Sequence, residues 1–265
     1  MPSVDTGFVF ALRDEAVGIL DRMKRRKKTR GNDWTFYTGT IESKNKEMSI
    51  AVVMSGAGQN NAENATNVLL DVFAPKLICS AGYAGGLSSR LKQLTLCVPE
   101  QVIRPLLGRQ TEVQALDLSS PIPRKTSPMS GKLTLFTANE VVDLPEQKRT
   151  LHEQTGAEIV DMETFAVAEV CSVREVPFLS IRVILDAVDD RIPKDVANLL
   201  DSVDSSFSRL TGTIFSSLVS RPSMVLDLVS LKRRAFKATE RLADVVIAEL
   251  SRRDNRSTGF GAPGN

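Results

Sequence analysis

Three acidic side chains stand just beyond apolar runs that read as buried strands. Glu15 follows the run from Gly7 to Ala11, Glu163 follows Glu158 to Val160, and Asp186 follows Phe178 to Leu185. In an open α/β sheet, ligands bind outside the carboxyl ends of the strands, so carboxyl groups from three distant segments can meet in one crevice. Taken singly, each is equally at home as a capping or first-turn residue of the next helix. The chain holds one histidine, His152, which excludes a histidine dyad or a multi-histidine metal site. Proton transfer would then fall to carboxylates. Arg182 lies inside the run before Asp186. A buried arginine is as readily half of a structural ion pair as a catalytic cation.

The elements needed to hold these groups alternate along the chain. Strands are predicted at Gly7 to Ala11, Trp34 to Ile41, Met48 to Met54, Lys76 to Ser80 and Leu94 to Ile103, with short ones at Leu133 to Phe136 and Glu158 to Val160. Helical patterns cover Asp14 to Met23, Ala62 to Val72, Thr164 to Arg174 and Asp195 to Leu218. The run from Phe178 to Leu185 is broken only by Ser180 and Arg182, as suits a strand covered on both faces. This alternation predicts a three-layer α/β/α sandwich around a mixed, largely parallel sheet. Residues 104–130 are polar and rich in proline and read as a long loop or lid.

Residues 1–220 make the main domain. Beyond Pro222, Leu228, Leu231, Ala235, Ala238, Leu242 and Val245 recur at three- and four-residue spacing. That is the seam of an amphipathic helix, appended over 221–253 and packed on the body or on a partner subunit. A polar, glycine-containing tail over 254–265 reads as disordered.

Composition narrows the class. Hydrophobic residues are 42% and charged residues 25%, which excludes a wholly disordered chain. The net charge of +2 demands neither nucleic acid nor a membrane surface. Seven Lys and Arg crowd Arg22 to Arg30, read as a solvated helix end and loop. Cys79, Cys97 and Cys171, without a CxxC spacing, read as buried thiols in a reducing compartment. No leader pattern opens the chain and no apolar run reaches membrane-spanning length, so a cytoplasmic address is expected. Ser55-Gly56-Ala57-Gly58 lacks the Lys-Ser/Thr of a nucleoside-triphosphate loop.

Four segments in order carry a family likeness. They are Gly7 to Glu15, Ser55 to Gly58, Ser80 to Leu87 (Ser-Ala-Gly-Tyr-Ala-Gly-Gly-Leu), and Val160-Asp161-Met162-Glu163 with Arg182 to Asp186. Across residues ~7 to ~218 the chain resembles the purine nucleoside phosphorylase and nucleosidase superfamily, within it the 5'-methylthioadenosine/S-adenosylhomocysteine nucleosidases. The resemblance implies a cofactor-free, metal-free enzyme that cleaves the N-ribosidic bond of a purine nucleoside, commonly as a homodimer whose partner completes the 5' end of the pocket. Catalytic roles fall on Glu15, which activates water, Arg182, which helps hold it, and Asp186, which protonates the purine at N7. Substrate contacts fall on Met162 and Glu163, which cradle the ribose, on Tyr83 and Val141 near the base, and on Asp161 and Gly82.

The resembled phosphorylases carry an arginine just before the glycine-rich segment, where this chain has Ile78-Cys79-Ser80-Ala81, so water is expected as the nucleophile. Arg13 near the mouth keeps a phosphate nucleophile as an alternative. Tyr83 replaces a small serine, Leu185 replaces a serine before the acid, and Val141 replaces an aromatic that stacks on the purine. These departures leave two further alternatives: a nucleosidase for another 5'-substituted nucleoside, and a binding protein without the reaction.

Overall fold

In the computed structural model the described residues are 3–31, 34–43, 46–106, 109–118, 133–191 and 237–248. The expected helix from Asp195 to Leu218, the tail over 254–265 and most of the 104–130 stretch lie outside them.

The apolar runs become strands because each buries both faces. In β1 (Thr6–Phe10), Phe8 and Phe10 point to one side of the sheet and Val9 to the other. In β4 (Lys46–Met54), Ile50 and Val52 alternate with Ala51 and Val53 in the same way. On the first face lie α1 (Arg13–Arg22) and a helix over residues 237–248, on the second α2 (Gln59–Phe73) and α4 (Thr164–Val173). The result is the three-layer α/β/α sandwich. The 237–248 helix is part of its core: Ala238, Leu242, Ala243 and Val246 are buried against α1 and the sheet.

The sheet is mixed. Its path runs β2 (Lys24–Gly31), β3 (Trp34–Ser43), β4, β1, β5 (Ile78–Gly86), β10 (Ile159–Asp161), β9 (Thr134–Thr137), β7 (Gln101–Leu106) and β8 (Arg109–Asp117). The strand β11 (Phe178–Asp186) pairs in parallel with β5 along its whole length and also meets β6 (Leu96–Cys97). The other edge of β5 is divided. Ile78 to Ser80 pair in parallel with β1, whereas Gly85 and Gly86 pair antiparallel with β10. Between those pairings, residues 81–84 face a fork in the sheet, the kind of topological switch point where α/β proteins bind ligands.

Three expectations are corrected. The basic run is an exposed edge strand, β2, rather than a helix end and loop. Lys24 and Arg25 pair with Glu42 and Glu47 of the neighbouring strands at 2.5 and 3.3 Å. A charged edge of this kind discourages strand addition by other chains. The glycine-rich segment after Ser80 continues β5 instead of leaving it as a loop. Part of the expected lid is a hairpin, β7 with β8, paired from Gln101 with Asp117 to Pro105 with Val113. Among the described residues no helix is long and apolar enough to cross a membrane.

Candidate active site

Glu15 sits in the first turn of α1, where its carboxylate closes the turn by accepting the Leu12 N–H at 2.8 Å. The second oxygen accepts the Tyr83 N–H of β5 at 2.8 Å. That amide is available because residues 81–84 have no β1 or β10 partner. The carboxylate lies so close to β5 that a Cβ on Gly82 would stand 2.6 Å from its Oε1. Glycine is required at position 82 by this approach, whatever its conformation. Glu15 is only 5% exposed. Burial pushes its pKa up, against the pull of the two amides and of Arg182.

Glu163 enters the same crevice from the N-cap position of α4. Its Oε1 accepts the N–H of Gly58 at 2.7 Å. Gly58 adopts φ +91°, a left-handed value suited to glycine, at the start of α2. The loop from Ser55 to Gly58 therefore delivers an amide to a carboxylate rather than to a triphosphate. Burial and the charge of Asp161 push the Glu163 carboxyl up to about 8, with Glu15 adding to the rise.

Arg182 is 3% exposed and lines the crevice from β11. Its Nε and Nη2 donate to Asp161 Oδ2 at 3.0 and 2.9 Å, Nη1 to the Ser80 and Ile181 carbonyls, and Nη2 to the Ser80 and Thr164 hydroxyls. Asp161 is fully engaged in turn, accepting also from Thr137 Oγ1 at 2.9 Å and from the Thr164 amide and hydroxyl. A paired, hydrogen-bonded interior ion pair is what burial of these charges requires. Asp161, expected among the substrate-binding residues, has its carboxylate bound to protein; Met162 and Glu163 beyond it lie partly exposed.

Asp186 ends β11, 6% exposed, four residues beyond Arg182. It lies against Gly85, where a Cβ would stand 3.4 Å from its Oδ2. Its register partner is Gly85, and a bulge at Leu185 sets that register. Leu185 brings no hydroxyl, but α3 (Pro145–Thr155) brings an ammonium. Lys148, fully buried, donates from Nζ to Asp186 Oδ2, to the Ala187 carbonyl at 2.9 Å and to the Asp190 carbonyl at 3.0 Å. No signal in the sequence singles out this lysine, which sits in a polar helix among ordinary surface residues.

Tyr83 lines the crevice, and its hydroxyl is hydrogen-bonded to Thr239 of the 237–248 helix rather than turned into a base pocket. Val141 is half-buried between β9 and α3, away from the residues that line the crevice. His152 is bonded through Nδ1 to the Ala157 carbonyl at 2.6 Å, and the three cysteines are buried and form no disulfide. Among the described residues no group of three or more His, Cys, Asp or Glu is placed to hold a metal. Glu15, Glu163 and Arg182 thus share one crevice at the fork, and Asp186 stands farther along the same β5–β11 pair.

The chain is similar to several known proteins. The 5'-methylthioadenosine/S-adenosylhomocysteine nucleosidase of Oceanobacillus iheyensis is 24% identical over 198 residues, 68% of this chain and 85% of that protein. The Staphylococcus aureus enzyme of that name is 22% identical over 230 residues, covering 80% and 99%. A Helicobacter pylori nucleosidase mutant with 5'-methylthioadenosine in its active site superimposes with TM-score 0.69 at 19% identity, covering 94% of this chain and 99% of that one. Futalosine hydrolase of the same organism gives TM-score 0.68 at 20% identity, covering 93% and 97%. At these identities the superpositions speak for the fold. Residues 6–219, from β1 through the whole described crevice, match the family described as the Phosphorylase superfamily, and the chain belongs to that superfamily.

Proposed function

We propose that the protein hydrolyses the N-ribosidic bond of a purine nucleoside, adenosine-type and 5'-thio-substituted, releasing the free base without a metal or cofactor. The observation that carries this reading is the meeting of Glu15 and Glu163, from opposite layers, in one crevice beside Arg182. Breaking the bond leaves positive charge on the sugar and negative charge on the base, and groups that stabilise both ends lower the barrier. Glu15 accepts a proton from the water attacking C1'. Glu163, with Met162, holds the ribose hydroxyls. Asp186 gives a proton to N7 of the departing base. Arg182 and Asp161 act through the crevice wall, fixing Ser80 and Thr164, while Gly82 clears space for Glu15.

Water is favoured over phosphate by the state of the cation. Among the described residues Arg182 is the one arginine lining the crevice, and its N–H donors are spent on protein acceptors. A phosphate nucleophile calls for a guanidinium fork free to bind it. Tyr83, bonded to Thr239, stands where the resembled nucleosidases have a small serine, and Val141 leaves the base without a stacking aromatic. Those two features favour, as the second reading, a nucleosidase for a different 5'-substituted nucleoside.

The deciding assay follows base release from 5'-methylthioadenosine, S-adenosylhomocysteine and a panel of other 5'-substituted nucleosides, with and without phosphate. Release independent of phosphate is expected. A strict need for phosphate would replace hydrolysis by phosphorolysis, and calorimetric binding with no release would make this a binding protein. We further propose that the body over residues 1–220, with the 237–248 helix packed into its core, acts in the cytoplasm as a homodimer; a monomeric mass by light scattering contradicts the dimer.

A further inference from the structure

Lysine is rarely buried completely, and Lys148 has no exposed surface at all. An ammonium has three donors, and each is committed: one to the Asp186 carboxylate, two to the carbonyls of Ala187 and Asp190 in the turn after β11. The pairing joins α3 to the end of β11 at the residue that the proposed reaction uses as its acid. The charged groups on the adjoining elements have partners of their own. Asp189 pairs with Arg149 at 2.5 Å, and Asp190 accepts from the Ala187 amide and Gln93. Glu158 pairs with Arg90, and Asp161 with Arg182. Lys148 is in direct contact with Asp186.

We propose that Lys148 is a positioning residue for leaving-group departure, whose ammonium stabilises the Asp186 carboxylate as its proton passes to the base. This rests on the hydrolytic reading above. In the step, the C1'–N bond breaks and its electron pair goes to the base. A proton leaves the Asp186 carboxyl for N7, and the new carboxylate is left against the Lys148 ammonium. The water that attacks C1' gives its proton to Glu15, so charge and protons balance without any further reactant. An adjacent ammonium makes the carboxyl a stronger acid, and the same attraction empties it of its proton at a lower pH. Lys148 therefore exchanges a narrower pH range for a better proton donor. It also fixes the turn from Ala187 to Asp190, replacing the hydroxyl that Leu185 cannot offer.

The test uses K148Q and the volume-conserving K148M in the full-length protein, with kcat for base release measured from pH 5 to 10. The alkaline limb of the profile is expected to move up by roughly one to three pH units in both variants. Their plateau at low pH is expected below that of the wild type, so the profiles cross. A uniform drop without movement of the limb would overturn the proposal. The carboxyl of Asp186 is titrated in parallel by carbon-13 NMR, assigned with D186N. Its titration midpoint is expected to rise in K148Q, and an unmoved midpoint overturns the proposal even if no nucleoside is cleaved. Absence of base release from every nucleoside by the wild type refutes the hydrolytic reading instead, leaving the titration to decide whether Lys148 governs Asp186.

Discussion

Two carboxylates lie against β5 only three residues apart, at its middle and near its end, and are handled in opposite ways. Glu15 lies against Gly82 and is gripped by two backbone amides, with no cation in hydrogen-bond contact among the described residues. Asp186 lies against Gly85 and is gripped by a buried ammonium. Amide dipoles orient a carboxylate while leaving burial free to raise its basicity, which suits a group that must take a proton from water. An ammonium stabilises the carboxylate outright, which suits a group that must end the reaction ionised. The difference assigns the acceptor of protons to the middle of β5 and the donor to its end.

The largest effects should come from the two carboxylates. E15Q and D186N are each expected to lower turnover by about 10²–10⁴-fold. They separate on a ribosyl nitrophenolate, whose leaving group needs no proton: D186N should recover much of its rate there and E15Q should not. Equal recovery by both would erase the proposed division of labour.

Next in size is the Arg182–Asp161 pair, which stands in register with Gly82. D161N leaves Arg182 buried without its carboxylate, and a cost of about 3–5 kcal/mol in denaturant unfolding is expected. A loss below 1 kcal/mol would mean that the Arg182 network is not the rigid wall described above.

A third effect reads the crevice through pH. Glu163 titrates near 8 in the folded protein against an ordinary 4.5, so the folded state holds a proton that the unfolded state has already lost. Stability is therefore complete below about pH 4.5 from this group and declines as pH rises toward 8. The melting temperature should fall across that window, and E163Q should flatten the fall. The smallest effect belongs to Y83F, which removes the hydroxyl bonded to Thr239 while sparing the amide that holds Glu15. About 1 kcal/mol of stability should be lost with Glu15 still in place, seen as a modest drop in melting temperature.

Much of this was legible in the chain because burial writes itself into period and composition. The run Phe178 to Leu185 announces a strand covered on both sides, and Leu179, Ile181 and Val183 do face the α1 layer. The seam of the last helix likewise places Ala238 and Leu242 in the core. The edge strand β2 escaped such reading because an exposed run of Lys and Arg has no apolar period to betray it. The glycine-rich stretch reads as a loop because glycine disfavours strands, yet Gly82 and Gly85 are there to admit carboxylates against β5. Glu15 and Glu163 were visible as charges after apolar runs. Lys148 was not, since only tertiary structure brings a lysine of a polar helix onto Asp186.

The central claim, that water is the nucleophile in this crevice, is tested most directly by cleavage in oxygen-18 water with phosphate present. The account predicts one heavy oxygen at C1 of the released sugar. Sugar released as its 1-phosphate, with no label at C1, would contradict it.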